Sequence, residues 1–296
     1  MEYVLHILTL VVLYAILAMS LNLLSGYAGQ ISLAHAAFYG IGAYTAALTA
    51  VSLGTPFFVG LLLASMACAV GGAVIGLPSV RVRGDYLVIA TFSLQVITGA
   101  VLNNWTSVTG GPRGVYGIPP CGFFGFWHTS RLAFLGTATI VAGAVFVIAW
   151  RAVRSPVGRA WKAIREDETF AQSMGKNVAA SKVTVFALSA AMAGAAGALY
   201  AHYFTYIDPS AFRVTESILI VSMVVVGGAG RLCGPLVGAA LLVMMPEALR
   251  VAGLPTPAAA KLQGVLYGLL LVLVVMLRPE GLWPSGLRGG GNPGTT

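Results

Sequence analysis

Residues 3–80 read YVLHILTLVVLYAILAMSLNLLSGYAGQISLAHAAFYGIGAYTAALTAVSLGTPFFVGLLLASMACAVGGAVIGLPSV, a run of 78 positions without one Asp, Glu, Lys or Arg. A membrane-crossing helix needs about 20 apolar residues, so this stretch holds three crossings and their turns. Further uncharged runs cover 86–112, 132–150, 183–207, 217–230, 232–246 and 262–277. Only 9% of the 296 residues are charged, against about 25% in a soluble domain, and mean hydropathy is +0.87. The reading is an all-α, polytopic integral membrane helical bundle. A soluble enzyme, a nucleic-acid binder and a disulfide-stapled secreted domain are excluded.

Gly and Pro clusters cut the apolar runs into about nine candidate spans (eight to ten), near 4–24, 30–52, 57–77, 86–103, 132–150, 183–204, 214–230, 235–252 and 262–278. Ser32, His35, Gly40, Gly42 and Tyr44 interrupt the second, which is expected to be a broken or re-entrant element protected inside the bundle. The first stretch, with no basic segment before it, is expected to be retained as a span. With nine spans, Lys and Arg divide 12 to 5 between the two sides. The basic side is expected to face the cytoplasm, which places the N-terminus outside and the C-terminus inside. Residues 1–280 form the transmembrane unit, with a basic-side loop at 151–182, and the Gly-rich segment 281–296 is expected to be disordered.

Three dispersed cysteines (Cys68, Cys121, Cys233) suggest neither a disulfide framework nor a zinc site. No P-loop, HExxH or GxSxG motif occurs, and the four His are scattered. Glu216 falls near the outer end of span seven, and Glu247 three residues before Arg250, with which it is expected to pair. Neither acid lies at a midplane, where a gradient-driven carrier keeps them. Gly72-xxx-Gly76, Gly234-xxx-Gly238 and Gly264-xxx-Gly268 read as helix-packing pairs. A faint repeat links Gly26-Tyr-Ala-Gly29 with Gly227-Gly-Ala-Gly230.

Loop 151–182 carries seven basic residues and three consecutive acids. Pro156 suits a helix start, with Trp161, Ile164 and the stem of Arg165 on one face. Asp167 and Glu168 are placed to cap a second short helix that Gly175 ends, with Phe170, Ala171 and Met174 as its apolar stripe. Glu166, Asp167 and Glu168 would be repelled by an anionic leaflet, so a partner protein's groove suits the loop better than lipid headgroups. Glu168→Arg or Gly175→Val is expected to spare membrane insertion while disrupting that docking surface. The polar residues in otherwise apolar spans, Asn22, Ser25, Ser32, His35, Tyr44, Thr91, Gln95, Asn103 and Asn104, are candidate pathway residues. The simpler reading of each is an interhelical hydrogen bond, worth about 0.6 kcal/mol in membranes.

Ala163-Ile-Arg-Glu-Asp-Glu168 followed by Met174-Gly175 resembles the coupling loop of branched-chain amino acid ABC importer permeases. Leu21-Asn-Leu, Ser32-Leu-Ala-His-Ala-Ala-Phe-Tyr-Gly-Ile-Gly-Ala-Tyr44, Arg83-Gly-Asp-Tyr-Leu-Val-Ile-Ala-Thr91, Asn103-Asn-Trp105, Thr109-Gly-Gly-Pro112 and Val226-Gly-Gly-Ala-Gly-Arg231 are similar to that family's motifs, in the same order. The likeness covers about 18–280 and is greatest to the LivM-type subunit. One departure is Gln30-Ile31 where the family usually has Gly beside Ser32.

The resemblance implies a multi-pass permease of the bacterial inner membrane, itself not an enzyme and binding no cofactor. A second, LivH-type permease would pair with it, two cytoplasmic ATPases would use ATP, and a periplasmic substrate-binding protein would deliver the cargo. Its coupling loop would engage an ATPase through Arg159, Ile164, Arg165, Glu166, Asp167, Glu168, Phe170, Met174 and Gly175. Relatives carrying urea, amides or other amino acids would share these motifs. A gated channel or stand-alone facilitator is the alternative of another class, and an intramembrane enzyme would need paired acids or a Ser/His pair that is not evident.

Overall fold

A computed structural model describes residues 2–82, 84–123, 126–127, 130–251, 256–277 and 281–282. The segment expected to be disordered lies, apart from 281–282, outside the described residues. The helices are α1 (Glu2–Asn22), α2 (His35–Leu53), α3 (Phe57–Gly76), α4 (Asp85–Asn104), α5 (Thr106–Thr109), α6 (Arg131–Arg154), α7 (Pro156–Glu166), α8 (Glu168–Ser173), α9 (Val178–Phe204), α10 (Val214–Gly227), α11 (Gly234–Val251) and α12 (Thr256–Leu277). A π-helical turn, Leu23–Tyr27, extends α1. Two small antiparallel pairs interrupt the all-helical plan: β1 (Val115–Tyr116) with β4 (Tyr206–Ile207), and β2 (Gly122–Phe123) with β3 (Phe126–Trp127).

Helices stand at all nine expected positions, but they are not equal. Among the described residues six are long and apolar enough to cross a membrane, the first including the π-helical turn and the third running on to Val80. The 14 residues of α10 rise only about 21 Å, short of the roughly 30 Å hydrocarbon core. The fold is therefore a multi-pass helical bundle of unequal helices.

The core is built where backbones approach most closely. A Cβ on Gly42 would lie 2.4 Å from Gly194 Cα, and one on Gly72 2.6 Å from the Ala190 Cβ. Those contacts seat α2 and α3 against α9, whose buried face is mostly Gly, Ala and Ser. Lipid is as apolar as Leu, so close van der Waals packing by small residues holds such helices together. Gly72, Gly76, Gly234 and Gly238 all meet neighbours this tightly. Gly264 and Gly268 do not: nothing lies within 4 Å of either Cβ position, so the third expected packing pair faces open space among the described residues.

α2 is an unbroken, largely buried helix, contrary to the expectation of a broken element. The irregularity falls before it, at 29–34, where side chains take up the freed backbone groups. Ser32 Oγ accepts from Ala34 N–H (3.2 Å) and Thr91 Oγ1 from Leu33 N–H (3.1 Å). Of the interrupting residues within α2, His35 and Gly42 meet α9, while Gly40 and Tyr44 meet Phe212.

The chain sorts its loops into two ends. Arg131 pairs with Glu2 (3.1 Å), β1 with β4, and His202 Nδ1 lies 2.8 Å from Pro119 O. At the opposite end Lys182 reaches Ser79 O, Asn22 reaches Arg231 O and Leu282 N–H reaches Val226 O. That second end carries the basic loops. Glu247 accepts from Tyr3 Oη, and the expected pairing with Arg250 falls on a side chain outside the described residues.

Candidate functional site

The basic end is dominated by the α7–α8 hairpin. Ser155 Oγ accepts from Gly158 N–H (3.3 Å) with Pro156 in the first turn. Asp167 Oδ1 accepts from Thr169 N–H (2.8 Å) and Phe170 N–H (3.0 Å), which starts α8. Gly175 ends it with φ +73°, a left-handed conformation that glycine adopts without penalty. Trp161 is buried and its Nε1–H donates to Ser181 O (3.0 Å). Ile164, Ala171 and Val178 close a small apolar core beneath the hairpin.

Two expectations for this loop change. Glu168 does not cap α8, because Asp167 already serves its first N–H groups. Its carboxylate instead reaches Lys182 Nζ at 3.0 Å, and that ammonium, 1% exposed, also donates to Ser79 O (3.1 Å). A buried ammonium needs a counter-charge, so this pair clamps the hairpin to α9 and to the turn after α3. The expected apolar stripe also divides. Ala171 is buried, whereas Phe170 and Met174, one turn apart, are 61% and 66% exposed. They face away from the bundle, as do Arg159 and Glu166.

Arg165 turns the other way. Its Nη1 donates to Gly26 O in the π-helical turn, and its stem lies against Gly29. A Cβ on Gly230 would fall 2.7 Å from that same Nη1, and one on Gly26 would fall 2.3 Å from Gly230 N. Asn22 ties the two glycine turns together: its Oδ1 accepts from Gly230 N–H (2.8 Å) and its Nδ2 donates to Arg231 O (2.7 Å). The two halves of the faint glycine repeat thus form one socket holding the guanidinium of α7. Single π-helical turns within α-helices are frequent at functional positions.

The candidate pathway residues do not converge on one cavity. Asn22 belongs to the socket. Ser25 Oγ donates to Leu21 O (3.0 Å) in its own helix. Ser32 and Thr91 support the 29–34 segment. His35 Nε2 lies 2.9 Å from Ser189 Oγ, which donates to Ser20 O (2.7 Å), so it joins α1, α2 and α9. Tyr44 is buried edge-on against Phe212, its Oη without a partner among the described residues. Gln95 Nε2 donates to Phe212 O (2.7 Å) and its Oε1 accepts from Ser217 Oγ (3.4 Å). Among the described residues, Gln95, Asn103 and Asn104 line a common space, a groove of about 670 Å³ between α4 and residues 209–215.

Lys182, Ser189, Ser217 and Gly230 escaped the sequence reading as site residues. Lys182 carried a signal, a lone cation at the head of a 25-residue uncharged run. Ser189 and Ser217 carried none beyond being polar in apolar helices.

Residues 3–275 match the family model described as branched-chain amino acid transport system, permease component. The chain is 36% identical over 300 residues to the high-affinity branched-chain amino acid transport system permease protein LivM of Salmonella typhimurium, covering 93% of this chain and 69% of that protein. LivM of Escherichia coli K12 gives the same identity and coverage. The corresponding permease protein LivH of Salmonella typhimurium is 28% identical over 289 residues, covering 91% of this chain and 90% of that protein. No solved structure matches the chain.

Proposed function

The chain belongs to the family of branched-chain amino acid transport system permease components, and on that premise we propose that it is a membrane-spanning subunit of an ATP-driven importer for branched-chain amino acids. It would cross the bacterial inner membrane nine times with its basic end in the cytoplasm. A second, LivH-type permease would pair with it, two ATPases would dock at the basic end, and a periplasmic binding protein would load substrate from the other side. The chain binds no cofactor in this reading, and ATP is used by the partners.

One observation carries the proposal: the α7–α8 hairpin is rigidly capped and clamped, yet presents Phe170 and Met174 outward. A channel or facilitator has no need of a stiff apolar projection there. Large exposed apolar side chains beside charged ones fit a docking surface for a partner's groove. The sequence has no P-loop, which supports leaving hydrolysis to a partner.

Reconstitution tests this. The purified chain alone should hydrolyse no ATP above background. ATPase activity stimulated by leucine, isoleucine or valine should appear only with both ATPases, the second permease and the binding protein present. Uptake by the lone chain without ATP would establish a facilitator instead. Stimulation by urea or an amide would keep the importer class and change the cargo.

A further inference from the structure

We propose that the groove between α4 and residues 209–215 is one wall of the substrate path and that Arg213 receives the carboxylate of the passing amino acid there. The proposal rests on the importer reading and assigns a residue to it. The groove's volume, about 670 Å³, falls within the range of small-molecule sites, roughly 300–1,000 Å³.

Its lining is divided as the cargo is divided. Asn103, Asn104 and Arg213 bring amides and a guanidinium, while Val96, Phe212 and Val214 supply apolar surface. A branched-chain amino acid carries a charged head and a short aliphatic tail, so both parts find matching groups. Arg213 is exposed and makes no ion pair or side-chain hydrogen bond with the described residues. The nearest acid in sequence, Glu216, accepts from Tyr14 Oη (2.9 Å), and Asp208 on the other side accepts from Ser210 N–H (2.7 Å). A guanidinium presents a planar fork of donors that fits a carboxylate in bidentate fashion.

The wall is preformed. The Gln95 bond to Phe212 O holds the 209–213 turn against α4, and Ser217, which bonds Gln95, also accepts from Ala36 N–H (3.0 Å). Gly99 widens the groove, with nothing within 4 Å of its Cβ position. The remaining side is open, and the adjoining face of α4 exposes Ile97 and Val101. In the importer this side would be closed by the second permease.

The test uses the complete importer, reconstituted in vesicles of neutral lipid and, separately, vesicles containing anionic lipid. Arg213→Gln should lower leucine transport about tenfold in both, the loss of a charge-assisted hydrogen bond, and Arg213→Lys should recover part of it. Both variants alter an exposed side chain, and recovery of the assembled complex checks that neither disturbs folding. In a Cys233→Ser background, Gly99→Cys should be modified by a thiol reagent, and leucine with ATP and binding protein should slow that modification.

A wild-type rate for Arg213→Gln overturns the proposal. So does a loss confined to anionic vesicles, because the guanidinium then serves a lipid phosphate. Absence of protection at position 99 places the path elsewhere. Failure of the wild-type importer to move any branched-chain amino acid would instead sink the importer reading, and the proposal with it, before any variant is compared.

Discussion

The three cysteines show what single positions contribute. Cys68 Sγ donates to Phe38 O (3.2 Å) inside the bundle, whereas Cys233 is exposed at the basic end. Cys121 is buried in the loop before α6, and burial pushes its thiol up to about 12. A thiol with a raised pKa stays protonated where an ordinary cysteine already ionises, so alkaline buffer should not make Cys121 reactive between about pH 7 and 9. A maleimide should therefore label one native thiol, and Cys233→Ser should abolish that labelling. The Glu168–Lys182 pair is the second residue-scale case. Removing one partner of a buried pair costs about 3–5 kcal/mol, so Lys182→Met or Glu168→Arg should lower the yield of folded protein. The exchanged pair, Glu168→Lys with Lys182→Glu, should regain part of it in a thermal-stability assay. Glu168→Arg thus probes the clamp as well as docking, which the sequence alone did not reveal, while Gly175→Val still tests the end of α8.

At the scale of elements, in the proposed importer α7 and α8 would divide two tasks, ATPase docking and transmission, between opposite faces. Phe170 and Met174 face outward, and Arg165 faces the socket formed by the turns after α1 and α10. Docking and transmission should then separate by mutation. Phe170→Asp with Met174→Asp should release the ATPase from the purified complex, weakening binding by more than about tenfold. Arg165→Ala or Gly230→Val should leave the ATPase bound while uncoupling it, so that ATP is hydrolysed without substrate movement. Co-purification of the ATPase measured beside transport distinguishes the two. If Arg165→Ala couples normally, the socket is packing and not a joint.

For the whole molecule, the sorting of loops fixes a testable alternation. Among the described residues, 2–3, 54–56, 105–123, 126–127, 130–131 and 205–213 gather at one end, and 23–34, 77–82, 84, 155–177 and 228–233 at the other. Ser107→Cys and Lys176→Cys, both at exposed positions, should label from opposite sides of the membrane in a Cys233→Ser background. The first should be reached from the periplasm and the second only after the cytoplasmic face is opened. Labelling of both from one side would overturn the alternation while leaving family membership untouched.

The 78-residue uncharged run settled the fold class by itself, because a bilayer admits only helices or closed barrels and the apolar runs have helix length. Pro156, Asp167 and Gly175 likewise marked the hairpin, since helix starts and stops are local chemistry that a sequence carries openly. What pairs across the bundle was not local. Lys182 with Glu168, Arg165 with Gly26 and Gly230, and Gln95 with Phe212 and Ser217 depend on which helix faces meet. Small residues decide that meeting through shape, leaving no hydrophobic period to read in helices apolar all round. The sequence named the polar residues; only packing determined that Asn22, His35, Thr91 and Gln95 tie separate elements together and that three share a groove.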